Sequence, residues 1–123
     1  MPAGNKDLKV YQMAYGLSME IFYVSKSFPK EERYSLTDQI RRSSRAVCAN
    51  IAEAYRKKHY SKLFLITVSN ADSEASETLV WLDYAKDCGY ISNDFYDLIF
   101  QGYQQVGKML GSMVRHPEPF KIR

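Results

Sequence analysis

Proline is absent from most of this chain. The 123-residue sequence has four prolines, Pro2, Pro29, Pro117 and Pro119, so none interrupts the residues from 30 to 116. Proline breaks the interior of a helix, whereas the turns of β and α/β domains use it often. A long stretch without proline therefore favours long helices over an all-β or α/β fold.

Cysteine and long apolar runs are also scarce. Cys48 and Cys88 are the only cysteines, and the first residues contain no apolar segment of the kind found in a secretory signal. We therefore expect two reduced thiols in a cytoplasmic protein. No window approaches the roughly 18 apolar residues that a membrane-spanning helix requires, so no membrane partner is expected.

The sequence contains no recognisable catalytic or metal-binding motif. His59 and His116 are its only histidines, and neither has a cysteine, histidine or carboxylate partner at a metal-ligand spacing. No glycine-rich phosphate loop is present, and no serine or cysteine has a general base beside it. We therefore expect no metal, no cofactor and no catalytic residues.

Four amphipathic segments account for most of the chain. In each of them apolar residues recur at three- and four-residue spacings, which is typical of one face of an α-helix. The predicted helices cover 7–27, 35–58, 61–88 and 92–116. Short turns join them, so the sequence predicts an all-α fold, an antiparallel up-down-up-down four-helix bundle over 7–116. The remaining residues, 1–6 and 117–123, are expected to be tails.

Local signals mark the ends of these helices and the faces they bury. We expect the hydroxyls of Ser35, Ser61 and Ser92 to cap three helix N-termini, and Gly89 to end helix 3 in a left-handed conformation. The apolar face predicted for helix 2 consists of Leu36, Ile40, Ser43 or Ser44, Val47, Ile51 and Ala54 or Tyr55. The one predicted for helix 3 consists of Leu65, Val68, Asp72, Ala75, Leu79, Leu82 and Ala85 or Lys86.

Two helices carry features with more than one interpretation. Helix 1 has a second apolar face, which either widens its core-facing side or contacts another subunit. That face consists of Val10, Met13, Leu17 and Val24. In helix 4, Gly107 and Gly111 share a face, where either a neighbouring backbone approaches closely or packing holds a helix that tolerates weak positions.

Charge is distributed unevenly along the chain, although the net charge is only +3. Residues 41 to 62 include seven bases and the single acid Glu53, whereas residues 72 to 97 include seven acids and the single base Lys86. A basic surface of this kind suits a nucleic-acid backbone, although two bundle faces that attract each other would give the same pattern. The predicted nucleic-acid-binding residues are Arg41, Arg42, Arg45, Arg56, Lys57, Lys58 and Lys62. Tyr55, His59 and Tyr60 could stack on unpaired bases beside them.

Several polar residues fall beside the predicted apolar faces of helices 2 and 3. Glu53, Glu74 and Glu77 are candidates for acid–base catalysis, and this enzymatic interpretation is the least favoured one. We favour a network between helices or subunits instead, with Arg42 paired to Glu74 or Glu77, because a charge near a core needs a partner. The network residues are Gln39, Asn50, Glu53, Glu74 and Glu77.

The start of helix 2 carries a family resemblance. The run from Phe28 to Ser44, FPKEERYSLTDQIRRSS, and the tetrapeptide Asn50-Ile51-Ala52-Glu53 resemble the bacterial 23S rRNA intervening-sequence protein family, whose members are also described as four-helix-bundle or ribosomal-protein-like proteins. Residues 7–11 and 89–91 also match the layout of that family. This sequence departs from it at residues 47–49, where members often have Ile-Pro-Ser, and at Ala54, where they have glycine. Helix 2 is therefore expected to run without a proline kink.

The resemblance implies a function without implying a catalytic site. Relatives include the accessory protein of diversity-generating retroelements, a five-fold barrel of four-helix bundles with a basic surface that engages nucleic acid and a reverse transcriptase. By analogy we expect a non-enzymatic homopentamer that binds RNA through helix 2. The alternative is a homo-oligomeric scaffold for a protein partner, in which the arginines lie in subunit contacts.

Overall fold

The computed structural model of the chain describes residues 4–117 and contains four α-helices. They are α1 (Lys9–Ser25), α2 (Leu36–Arg56), α3 (Ser61–Asp87) and α4 (Asn93–Arg115), with short 3-10 helices at Asn5–Asp7 and Lys30–Glu32. Each helix packs against its neighbours in the chain, and α4 also packs against α1, which closes the bundle. The predicted all-α four-helix bundle is confirmed, and α2 runs uninterrupted.

The first helix begins later than predicted. Asn5–Asp7 forms a 3-10 helix and Leu8 is extended, so α1 begins at Lys9 rather than Asp7. Gln12 fastens this turn by donating a hydrogen bond of 2.8 Å to the carbonyl of Lys6. The predicted tails, 1–6 and 117–123, fall largely outside the described residues.

One of the three predicted serine caps is present. The Ser92 hydroxyl accepts a hydrogen bond of 3.0 Å from the backbone N–H of Phe95, which confirms the cap of α4. The prediction for Ser35 is wrong, because Glu32 Oε1 accepts from the backbone N–H of Leu36, at 3.3 Å, and from the Ser35 hydroxyl, at 2.7 Å. The prediction for Ser61 is also wrong, because Ser61 is already the first helical residue and Tyr60 occupies the cap position.

Gly89 ends α3 as predicted. Its φ of 80° is in the left-handed region that a side chain disfavours. The backbone N–H of Tyr90 donates to the carbonyl of Ala85 at 2.8 Å, and that of Gly89 donates to Lys86 at 3.0 Å. These are the paired hydrogen bonds of a Schellman motif, which satisfy the last carbonyls of the helix.

The core is formed by one face of each helix, and the face predicted for α2 is confirmed. Leu36, Ile40, Val47 and Ile51 are all buried there. The face predicted for α3 is wrong in its first half. It is formed by Phe64, Thr67, Val68, Ala71, Ala75, Thr78, Leu82 and Ala85, while Leu65 and Asp72 are exposed. Thr67 and Thr78 can be buried because their hydroxyls donate to carbonyls four residues earlier.

The second apolar face of α1 packs on the core of its own bundle. Val10 is buried, and Met13, Leu17 and Val24 are partly buried against the core, so the wide core-facing side is the interpretation that fits. Leu17 lies over the backbone of α4 at Gly102. The close approach predicted at Gly107 and Gly111 is wrong, because the nearest atoms there belong to the side chains of Asp72 and Arg115.

Candidate nucleic-acid interface

The basic residues of α2 lie on two different sides of the helix. Arg41 and Arg45 lie toward α1, where their guanidinium groups are 4.9 Å and 5.7 Å from the centre of the Phe22 ring. Arg42 lies toward α3, beside Glu74 and Glu77. The side chains of consecutive helical residues point about 100° apart, so Arg41 and Arg42 do not lie on the same side of the helix.

Arg41 is held in place by the end of α1. Its Nε donates a hydrogen bond of 2.8 Å to the Ser25 hydroxyl, which in turn donates to the carbonyl of Phe22 at 2.9 Å. Contact with the Phe22 ring fixes the plane of the guanidinium group. The terminal nitrogens form no hydrogen bond with residues 4–117 and are therefore available to a ligand.

Arg42 lines a groove of about 370 Å³ between α2 and α3. It pairs with Asp38 one turn earlier at 3.7 Å, so the predicted pairing with Glu74 or Glu77 is wrong. The groove also contains Gln39 and Ser43, whereas Glu77 accepts a hydrogen bond of 3.2 Å from Trp81 Nε1. The groove therefore brings together two of the three candidate carboxylates, Glu74 and Glu77, beside the cation of Arg42. Its lining residues do not include a nucleophile paired with a general base.

The remaining members of the predicted network form contacts within their own helix. Asn50 donates to the carbonyl of Ala46 at 2.9 Å, and Glu53 pairs with Lys57 at 2.8 Å. That hydrogen bond, together with the charges of Lys57 and Arg56, lowers the pKa of the Glu53 carboxyl. Glu53 does not line the groove that contains Glu74 and Glu77, so the structure does not join all five residues.

The basic residues after the end of α2 differ in accessibility. Arg56 and Lys62 are exposed, and Lys57 is engaged by Glu53. Lys58 is buried, with 8% of its surface exposed, and its ammonium group lies 3.5 Å from the centre of the Tyr55 ring. Lys58 therefore stabilises the end of α2 and is not part of the accessible surface.

The aromatic residues near this turn divide in the same way. Tyr55 is half-buried beneath Lys58, whereas His59 and Tyr60 are exposed. Only the latter two can stack on a base without a rearrangement. Tyr34, at the other end of α2, is the most exposed large aromatic residue described, at 85%, and our sequence analysis did not select it.

Three cations that the sequence analysis missed lie near Arg41. Lys26, Lys30 and Arg33 line a pocket with it at the turn between α1 and α2. In the sequence Glu31 and Glu32 lie among them, so three bases and two acids leave this part of the chain a net charge of only +1. One feature of the sequence could have revealed these cations. They lie on both sides of Pro29, and a turn there brings side chains close together although they are separated along the chain.

The described residues contain no group of three metal-ligating side chains close enough to hold an ion. Both cysteines are free, and burial raises the pKa of the Cys48 thiol to about 11, so it stays protonated at neutral pH. None of the described helices combines the length and the apolar content that crossing a membrane requires.

The fold is that of a small helical-bundle protein. The chain belongs to the 23S rRNA-intervening sequence protein family, whose model matches residues 6–112. It is similar to a crystal structure at 1.70 Å of a protein of unknown function from the S23 ribosomal protein family of Bacteroides thetaiotaomicron. That structure is 26% identical with a TM-score of 0.77, over 86% of this chain and 95% of the other. No curated protein matches the chain. Neither description names an enzymatic activity.

Proposed function

We propose that this protein is a non-enzymatic, homo-oligomeric four-helix bundle that binds RNA through the basic side of α2. We use this name for the side of the helix that carries Arg41, Arg45 and Arg56. The observation that carries the proposal is the accessibility of Arg45, Arg56 and Lys62, which form no ion pair with any of residues 4–117. Cations without an acidic partner keep their full attraction for a phosphate backbone. The family description supports ribosomal RNA as the class of RNA.

The geometry of these cations suits a backbone better than a single small anion. Arg45 and Arg56 are separated by about 16 Å along the axis of α2, at 1.5 Å per residue. A spacing of that size spans several nucleotides rather than one phosphate. His59 and Tyr60 lie in the turn between Arg56 and Lys62, where they can stack on unpaired bases. The resemblance further supports five copies in a bacterial cytoplasm.

A gel-shift titration with large-subunit ribosomal RNA fragments tests the proposal. The variant Arg45→Glu/Arg56→Glu reverses two charges at exposed positions, and Lys9→Glu/Lys108→Glu reverses the same number at exposed positions outside the proposed surface. We expect the wild type and the control to bind RNA with an affinity that falls as salt is added. At salt concentrations between about 50 and 200 mM, the first variant should bind about tenfold or more weakly than either of them. Equal binding by both variants, or no binding by the wild type at low salt, would contradict the proposal.

A second candidate function is a scaffold that assembles through α3. Its outer side exposes Leu63, Ile66, Val80 and Tyr84, each about half accessible, and these residues lie within about 100° of one another around the helix. Apolar residues gathered on one side of a helix mark a surface that another molecule covers. In that function the arginines of α2 would form ion pairs between subunits.

A further inference from the structure

We propose that the pocket at the turn between α1 and α2, lined by Lys26, Lys30, Arg33 and Arg41, binds a phosphate group. We refer to it as the α1–α2 pocket. It has a volume of about 350 Å³, and its other lining residues are Ser25, Phe28, Pro29 and Thr37. Half of the lining residues are cations, and none is acidic.

The charge of the pocket is not balanced by an ion pair within residues 4–117. The ion pairs found among residues 4–117 are Arg42–Asp38 and Lys57–Glu53, so none of the four pocket cations has a carboxylate partner there. The two acids of the same turn do not line the pocket. Glu32 is directed away from it toward Ser35 and Tyr90, and Glu31 is exposed. Gathering like charges is unfavourable unless an anion joins them.

The pocket is organised before any ligand arrives. The ammonium group of Lys26 and the guanidinium group of Arg41 each lie 4.9 Å from the centre of the Phe22 ring. Arg41 is fixed further by its hydrogen bond to Ser25. Because these side chains already have one orientation, binding costs less conformational entropy than it would on a freely rotating surface.

Thr37 adds a hydroxyl donor to the pocket. The residue lines the pocket and is 8% exposed, and its hydroxyl forms no hydrogen bond with any of residues 4–117. Among those residues the Tyr103 hydroxyl is the only buried side-chain polar atom without a partner, so the Thr37 oxygen is still in contact with solvent. It is therefore free to donate a hydrogen bond to an oxygen of a bound anion.

A phosphate fits this set of donors better than a carboxylate does. The pocket brings together two guanidinium groups, two ammonium groups and a hydroxyl, which is more than two carboxylate oxygens can engage. A phosphate presents three or four oxygens in a tetrahedral arrangement and carries up to two negative charges near neutral pH. The pocket is large enough to admit part of the attached sugar beside Pro29.

The phosphate could be the terminal phosphate of an RNA, a phosphate within an RNA backbone, or that of a small compound. If it belongs to an RNA, the inference rests on the proposed function. Arg41 and Arg45 both lie over Phe22, so the pocket continues into the basic side of α2. A strand that follows α2 would therefore meet the pocket at one end of its path. A small phosphate compound would use the same donors without that path.

The first experiment measures phosphate binding without RNA. The melting temperature of the full-length protein is compared in phosphate and in chloride at equal ionic strength, because a ligand that binds only the folded state raises it. The variant Lys30→Ala/Arg33→Ala removes two exposed pocket cations, and Lys9→Ala/Lys108→Ala removes the same charge elsewhere. The general stabilising effect of phosphate acts on all three proteins alike. We expect the additional rise in melting temperature in the wild type and the control only. An equal rise in all three would overturn the inference.

The second experiment identifies the source of the phosphate. Fluorescence anisotropy compares RNA oligonucleotides of about ten nucleotides, with either a 5′-phosphate or a 5′-hydroxyl, across the same three proteins. If the pocket recognises a terminal phosphate, only the wild type and the control prefer the phosphorylated RNA, by about tenfold. If it binds a backbone phosphate, the pocket variant binds both RNAs about tenfold more weakly than the control does, with a shallower salt dependence.

The two proposals can fail separately in these experiments. RNA binding that is identical in the pocket variant and the control, together with no pocket-dependent rise in melting temperature, would refute the pocket and leave the proposed function intact. A pocket-dependent rise in melting temperature without any RNA binding would support the pocket for a small phosphate compound and refute RNA binding.

Discussion

At Gly102 a leucine of α1 lies directly over the backbone of α4. A Cβ atom on this residue would be 2.5 Å from Leu17 Cδ2, which is closer than two carbon atoms can be without displacement. Five residues later, Gly107 has a different environment. The nearest atom to a Cβ there would be Asp72 Oδ1 at 3.7 Å, an ordinary contact distance. Packing therefore requires glycine at position 102 but not at position 107.

Alanine substitution should separate these two glycines. We expect Gly102→Ala to lower the free energy of unfolding by about 1 kcal/mol, because overpacking costs roughly 1–3 kcal/mol and the gain in helix propensity returns only about 1. Gly107→Ala should raise it by about 0.5–1 kcal/mol through propensity alone. Urea unfolding measures both values, and adding Leu17→Ala to Gly102→Ala should reveal a coupling of the two sites. Equal stabilisation by both single substitutions would contradict this account.

Lys58 illustrates what the sequence can and cannot predict about a single residue. Its place in a run of bases suggested an accessible phosphate contact, yet its ammonium group lies over Tyr55 and the residue is buried. The spacing of three residues was visible in the sequence and is compatible with such a contact. The direction of a long side chain next to a turn is not, because it depends on how the turn folds back.

At the scale of the elements, one side-chain cluster joins two connections at the same end of the bundle. The Tyr90 hydroxyl, after α3, donates a hydrogen bond of 2.8 Å to Glu32 Oε2, before α2. The rings of Tyr90 and Phe28 are 5.5 Å apart. Hydrogen bonds from Ser35 and Tyr90 lower the pKa of the Glu32 carboxyl, and the same contact with Glu32 raises the pKa of Tyr90 to about 12.

This cluster should make stability depend on pH in the acid range. A carboxyl whose pKa is lowered by folding contributes stability above its unfolded pKa of about 4.3, and loses it as the pH falls through the lower folded pKa. We therefore expect Tyr90→Phe to be less stable than the wild type at pH 7, and this difference to shrink toward about pH 3. Urea unfolding at several pH values measures it. Tyr15→Phe removes an exposed hydroxyl that forms no hydrogen bond with any of residues 4–117, and it should match the wild type throughout. A difference between Tyr90→Phe and the wild type that is independent of pH would contradict the role of Glu32.

Helix positions were more predictable than helix ends and buried faces. The short turns and the apolar spacing located all four helices, because those signals are local. The cap at Ser35 failed because the carboxylate of Glu32, in the preceding 3-10 turn, accepts a hydrogen bond from the Ser35 hydroxyl and another from the backbone N–H of Leu36. The face of α3 failed because Leu65 and Phe64 are adjacent apolar residues. Only the neighbouring helices decide which of the two is buried.

At the scale of the whole molecule, we expect copies of the chain to assemble through the exposed apolar residues on the outer side of α3. Ile66 and Val80 are each 48% exposed on that side. Substitution of both by lysine would place charges in any contact that buries them, and buried unpaired charges are costly.

We expect light scattering to give the wild type a mass above the 14.3 kDa of one chain, and Ile66→Lys/Val80→Lys a mass close to that of one chain. The control Gln101→Lys/Gln105→Lys adds the same charge at exposed polar positions of α4 and should assemble like the wild type. A wild type with the mass of a single chain, or an α3 variant that assembles normally, would contradict this expectation.

The fold could be predicted from the sequence more completely than the candidate site could. A bundle of four helices with short connections has few ways to bury four apolar faces, so periodicity nearly determines it. The site depends on which side chains converge from separate elements. Arg41 was selected from its helix, but its partners Lys26, Lys30 and Arg33 come from α1 and the turn, and only the tertiary structure brings them together.

The separation of charge across α2 has a consequence for the approach of a ligand. Four cations line the α1–α2 pocket, whereas the groove between α2 and α3 contains Glu74 and Glu77 with Arg42 as its single cation, so the unequal charge on the two sides of α2 forms an electric dipole. The field of a polyanion exerts a torque on such a dipole and turns the basic side forward before contact is made. Orientation of this kind acts on the rate of association more than on the rate of dissociation, and added salt weakens it first.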